Sequence, residues 1–280
     1  MGDFFRSSQL LIIFCVFSGL AATAQIDSSF ADSTHCPGKD SVGLKEHSPD
    51  TTQYYKLNRD YIESFVPALT YTVSRPAHWN RKDWTKFSLL AAGTGAVMLA
   101  DWEIRNLAQH NRTNVAESIA NAIEPFGNTY GLYLFPAMYT IGAITKQPKI
   151  ESVGLTGTKA LAISTVMYTA AKKLIRRNRP DVANSSWDYA IPFAKKRYTS
   201  SPSGHSNTIF TAATILALEF PEHKWLGAVA YTVATATAVT RIYHNRHWAS
   251  DVVIGSLMGH FVTKAVWKAS QKKTKRSPKH

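Results

Sequence analysis

Three separated stretches of this 280-residue chain set cations and imidazoles at spacings suited to gripping and attacking a phosphate. They are Lys172 with Arg179-Pro180, the run Pro202-Ser203-Gly204-His205, and Arg241 followed by His247 and Asp251. Lys172 and Arg179 lie two helical turns apart, so a continuous helix stopped by Pro180 would present both on one face. Arg179 would then grip phosphate oxygens as a bidentate fork. The same pair also reads as the basic end of a helix, with Lys173, Arg176 and Arg177 solvating its surface.

In the second stretch a polar loop gives way to the apolar run Thr208 to Leu218, which sets Ser203 and Gly204 at a helix N-terminus. Free N–H groups there point at a bound anion, and Gly204 lets the backbone come close. An ordinary serine N-cap explains Ser203 equally well. His205 separates the two readings, because an imidazole beside a phosphate can protonate a departing oxygen. His247 and Asp251 are four residues apart. If that turn is helical, the carboxylate accepts the proton of one ring nitrogen and leaves the other free to attack. A surface His–Asp pair is the plain alternative. Arg241 adds a third cation to offset charge developing on the phosphate oxygens.

The order and spacing of the three stretches resemble the signature of the type 2 phosphatidic acid phosphatase superfamily, which also holds the bacterial class A acid phosphatases and the vanadium haloperoxidases. The resemblance runs from Lys172 to Asp251, with Thr240 standing where the third motif usually opens with Ser. It implies a phosphohydrolase that needs no metal and no cofactor, on an all-α bundle of about six core helices. By resemblance Lys172, Arg179 and Arg241 hold the phosphate with Ser203 and Gly204, and His205 protonates the leaving group. His247, backed by Asp251, attacks phosphorus to give a phosphohistidine that water hydrolyses. The substrates implied are lipid-linked: phosphatidic acid, phosphatidylglycerol phosphate, undecaprenyl diphosphate or the phosphates of lipid A. Two rival readings use the same residues. One is vanadate-dependent halide oxidation, and the other is a non-catalytic binder of anionic lipid or phosphosugar, which would have no need of a nucleophile.

The elements that must position these residues read as helices. Beyond Tyr54 the apolar stretches are long, rich in Ala and Leu and broken at Pro or Gly, without period-2 alternation. Helices are expected near 60–72, 83–105, 115–122, 129–143, 153–177, 205–220, 224–241 and 250–267. Gly255 and Gly259 form a small-x-x-x-small pair that lets two helices approach closely. Four regions follow: a signal peptide over 1–24, a polar linker over 25–56, the bundle over 57–268 and a basic tail over 269–280. The signal peptide rests on Arg6, the apolar run Leu10 to Leu20 and the small-x-small site Ala22-Thr23-Ala24. Cleavage there would leave Cys36 as the single cysteine, so the fold rests on packing rather than a disulfide.

The formal net charge of +13 points to anionic partners. For an exported protein these are anionic lipid or a phosphorylated small molecule rather than nucleic acid. Six Lys or Arg in the stretch from Lys268 to His280 can lie against anionic headgroups. Lys159, His260 and Lys264 fall in the middle of apolar stretches, where burial in a bilayer would be costly. With a parity count of the stretches against the signal peptide, they favour helices with a polar face in a soluble or membrane-surface periplasmic bundle. Trp187, Tyr189 and Tyr198 serve either as acyl-chain contacts or as loop anchors, and Lys195-Lys196-Arg197 either steers substrate or solvates a loop. His244 and His260 are expected to be structural or exposed.

Overall fold

The computed structural model describes residues 54–193 and 199–276, with side chains through residue 271. The expected signal peptide, nearly all of the linker, the Lys195-Lys196-Arg197 run, Tyr198 and residues 277–280 lie outside the described residues. Helix α1 is Arg59–Glu63, α2 Phe65–Ser74, α3 Arg81–Leu99, α4 Asp101–His110 and α5 Asn114–Ile123. Then come α6 Thr129–Ile144, α7 Pro148–Ile175, α8 Gly204–Glu219, α9 Lys224–Tyr243 and α10 Ala249–Arg276. An isolated bridge between Arg177 and Tyr189 is the one β pairing among the described residues.

The bundle is all-α, and six helices form its packed centre. Helix α7 packs on α6, α8 and α10, while α8 is also flanked by α9 and α10, and α2 lies along α10. The start signals are local. Asn80 and Asp83 form a reciprocal capping box at α3, Thr113 caps α5, Pro148 begins α7 and the Ser203 side chain caps α8. The Gly255/Gly259 pair lies on the seam between α10 and α8. A Cβ at Gly255 would strike the backbone of Ser203, so the glycine lets α10 press against the turn that opens α8.

Two expected helices break in the structure. The stretch 60–72 divides at Ser64, and 83–105 divides at Ala100. At Ser64 the hydroxyl donates to the Tyr61 carbonyl at 2.5 Å and accepts from Lys159 Nζ at 2.9 Å, which ties the break to the core. At the other end, α10 continues past Lys268 to Arg276, so much of the expected tail is helix.

The expected polar faces are also corrected. Lys159 is fully buried beneath the rings of Tyr55 and Tyr61. His260 turns inward, with Nδ1 2.8 Å from the Tyr231 hydroxyl and 3.2 Å from Thr214 Oγ1. The outside carries the apolar residues instead: Leu89 and Leu99 on α3, Val115 and Ile119 on α5, Leu132, Tyr133, Ile141 and Ile144 on α6. No single described helix is long and apolar enough to cross a membrane. Helices α3 and α4 meet the length and composition together, but bend by 54°.

Candidate active site

The three stretches converge where the C-terminal end of α7, the N-terminal end of α8, the C-terminal end of α9 and the approach to α10 meet. Lys172 stands on the last turn of α7. That helix ends at Ile175, and Arg176 caps it in the left-handed conformation (φ 50°, ψ 52°). Arg179 therefore lies in the loop beyond, not on a shared helix face. The loop folds back, and the positive charges of Lys172 and Arg179 still act on each other and on both site histidines. Burial, then Arg179, pushes Lys172 down to about 8.

Ser203 is the N-cap of α8, and its buried Oγ accepts from the Ser206 amide at 3.4 Å and the Ser206 hydroxyl at 2.9 Å. The plain N-cap reading thus holds, while the Ser203 hydroxyl proton stays available to an acceptor such as a phosphate oxygen. Gly204, the first helical residue, has the Tyr168 ring beside it.

His247 is 4% exposed. Its Nδ1 lies 2.7 Å from the Ser200 carbonyl oxygen, which can only accept, so Nδ1 carries the proton and Nε2 keeps its lone pair. Burial, followed by Lys172, Arg241 and Arg179, holds the ring well below the ordinary histidine range, as a neutral imidazole. Such a ring is poised as a nucleophile.

Asp251 does not take the proton of His247, which corrects the expected carboxylate–imidazole pair. His247 precedes α10 rather than lying on it, so the i, i+4 geometry does not form. Asp251 instead accepts from Arg177 Nη1 at 2.9 Å, Ser200 Oγ at 2.5 Å and the Trp248 amide at 3.1 Å. Burial raises its carboxyl, with Arg177 and Ser200 opposing. The carboxylate acts through Ser200: it fixes the residue whose carbonyl orients His247.

Arg177 and Asp101 belong to the same network. Arg177, which the alternative reading of a basic helix end sets at the surface, is 1% exposed. Its Nη2 donates to Asp101 Oδ2 at 2.7 Å and to the Ser186 carbonyl, Nη1 also reaches Ser250 Oγ, and Nε donates to Ser186. Asp101 accepts in addition from the Ser250 amide and hydroxyl. The Arg177 carbonyl receives the Ser200 amide at 3.0 Å. One guanidinium between two carboxylates thus ties α4 and α10 to the loop whose Ser200 carbonyl holds His247.

Arg241 donates through Nη1 to Glu124 Oε1, a residue no sequence motif singled out. Burial, then Arg241, pushes His205 down to about 4, with Glu124 opposing and Lys172 and Arg179 adding to the fall. Arg179 Nε, Arg241 Nε and His205 Nε2 are all buried without a hydrogen-bond partner among the described residues. Three such nitrogens on three separate elements, beside Lys172, are donors of the kind that suits an anion. Trp187 and Tyr189 are partly exposed on the loop that carries Arg179.

Comparisons with known proteins bear on the same segment. Residues 157–275 match the family model of the PAP2 superfamily. Lipid A 1-phosphatase of Porphyromonas gingivalis is 37% identical over 103 residues, which make up 36% of this chain and 20% of that protein. Undecaprenyl-diphosphatase of Sulfolobus acidocaldarius is 24% identical over 162 residues, or 58% of this chain and 74% of that protein. The chain thus spans about a fifth of the first relative and about three quarters of the second. The crystal structure of a transmembrane PAP2 type phosphatidylglycerolphosphate phosphatase from Bacillus subtilis superposes with a TM-score of 0.50 at 23% identity. That superposition covers 78% of this chain and 98% of the other, and shows a shared fold.

Proposed function

We propose that this chain, whose residues 157–275 match the PAP2 superfamily, is a phosphatase acting on a lipid-linked phosphate or diphosphate through a phosphohistidine on His247. The observation that carries the reading is the pairing of a neutral, oriented imidazole with a cradle of cations whose N–H groups await an anion. The phosphate lies among Lys172, Arg179 and Arg241, with the Ser203 hydroxyl and the amides that open α8 completing its contacts. His247 Nε2 forms a bond to phosphorus as the bond to the leaving oxygen breaks. That oxygen takes a proton from His205, and water then hydrolyses the phosphohistidine. Asp251 and Arg177 hold the nucleophile's support rigid.

Lipid as the source of the phosphate draws support from the molecule's exterior and its relatives. Exposed apolar residues line α3, α5 and α6, and Trp79, Trp84 and Phe87 cluster beside Arg81 and Lys82 at the start of α3, a combination suited to a membrane interface. Both curated relatives are named for lipid phosphates or diphosphates. With the expected signal peptide, this gives an exported, membrane-associated enzyme.

The test is phosphate release by the full chain from short-chain phosphatidic acid, undecaprenyl diphosphate, lipid A and a chromogenic monoester, with membrane fractionation of the same preparation. Release from a lipid phosphate that is lost in His247→Ala supports the proposal. Release at the wild-type rate by that variant would overturn the mechanism, and halogenation with vanadate and peroxide in place of phosphate release would overturn the activity.

A further inference from the structure

We propose that Glu124, held between Arg241 and His244, is a positioning residue that helps His205 gain the proton it donates to the leaving oxygen. The inference rests on the phosphatase reading above and concerns the acid side of the same reaction.

A carboxylate in a phosphate cradle is unexpected, because it competes with the substrate for cations. Glu124 opens the 3-10 turn Glu124–Gly127. That turn packs on the first turn of α8 so closely that a Cβ at Gly127 would press on His205. Glu124 Oε1 bonds Arg241 Nη1 and lies 3.8 Å from His205 Nε2, while Oε2 is 3.0 Å from His244 Nδ1. His244 Nε2 is 3.7 Å from Glu117 Oε1 on α5. Burial would raise the Glu124 carboxyl, but Arg241, with His244 and His205, outweighs it and keeps Glu124 ionised.

The charges facing His205 explain why such a group is needed. Burial first, then Arg241 on α9, with Lys172 on α7 and Arg179 on the following loop, drive its proton off, and Glu124 is the group that opposes them. In the reaction the His247–phosphorus bond forms and the ester P–O bond breaks. Its electron pair stays on the leaving oxygen, which takes the Nε2 proton of His205. The neutral His205 then recovers a proton from the water that attacks the phosphohistidine. Even with Glu124 in place, burial and the three cations push His205 down to about 4, so the proton is gained when the charge of a bound phosphate offsets those cations. Glu124 adds to that offset, and without it a smaller share of the phosphate-bound enzyme carries the proton to give.

Leaving groups separate this role from a structural one. An alkoxide from a lipid glycerol needs a proton as it departs, whereas nitrophenolate does not. Phosphate release is measured for wild type, Glu124→Gln, Glu124→Asp and His244→Gln with short-chain phosphatidic acid and with p-nitrophenyl phosphate, from pH 5 to 9. For Glu124→Gln, kcat on phosphatidic acid at neutral pH should fall about tenfold, the effect of roughly one pH unit on the donor. The fall should shrink toward acid pH, be no more than about threefold on the nitrophenyl ester, and be largely reversed in Glu124→Asp. His244→Gln should show the same pattern, weaker. An equal fall on both esters at every pH, or a rise in KM alone, overturns the inference and leaves the phosphatase reading standing. A folded wild type that releases phosphate from neither ester overturns both.

Discussion

The cradle and the network behind it are built from the same residue types to opposite ends. In the cradle, Arg179 Nε, Arg241 Nε and His205 Nε2 are buried without hydrogen-bond partners among the described residues, and like charges crowd together. Behind it, Arg177 makes five hydrogen bonds between Asp101, Asp251, Ser186 and Ser250. A guanidinium with its donors filled is scaffold, and one with donors left open waits for a ligand. The difference teaches that charge and burial alone do not mark a functional arginine, because Arg177 and Arg241 are both buried. What distinguishes them is whether the protein itself completes their bonding.

Substitutions sharpen that contrast. The largest effect should come from His247→Ala, which removes the proposed nucleophile but no charge: lipid phosphate hydrolysis should fall by at least about a thousandfold with the thermal midpoint little changed. Next, Arg177→Met should break the scaffold. Two buried carboxylates lose their shared cation, at a cost of about 3–5 kcal/mol in denaturant unfolding, and the Ser200 carbonyl loses its fixed place. Arg241→Gln, on the cradle side, should do the reverse: kcat/KM falls about a hundredfold while stability holds, as for loss of one transition-state donor. Equal destabilisation by the two arginine changes would erase the distinction.

The smallest effect concerns pH. Burial, then Arg179, holds Lys172 at about 8, below its ordinary value. As pH rises through 8 it loses its charge, so kcat/KM should decline. Stability should move the other way. The unfolded chain still binds that proton above pH 8, so unfolding becomes harder between pH 8 and the ordinary lysine range. A pH series of kcat/KM and of thermal midpoints on one preparation checks both signs, and Lys172→Met should flatten both.

The sequence made the cradle legible because its members lie in short local patterns. The Ser203 cap and the helix after it follow from a polar loop meeting an apolar run, and the all-α bundle from the absence of alternation. The scaffold was not legible, because its partners are far apart in sequence: Asp101 meets Arg177 across 76 positions, and Glu124 meets Arg241 across 117. The misread turns share one cause. Helical spacing predicts a shared face for Lys172 with Arg179 and for His247 with Asp251, yet one pair straddles a left-handed cap and the other a helix start. Asn58, Ser64 and Asn80 show that caps decide boundaries hydrophobic spacing misses. The polar faces expected from Lys159 and His260 do not form because a polar residue in an apolar helix can face a polar partner in the core rather than water, and His260 is structural in that sense.

The central claim is that His247 Nε2 attacks phosphorus. Rapid acid-free quenching of the enzyme during turnover of labelled short-chain phosphatidic acid, followed by digestion and mass analysis, tests it directly. The account predicts a phosphoryl group, stable to alkali and labile to acid, on the peptide that carries His247, and none in His247→Ala. Steady phosphate release with no label on that peptide would contradict it.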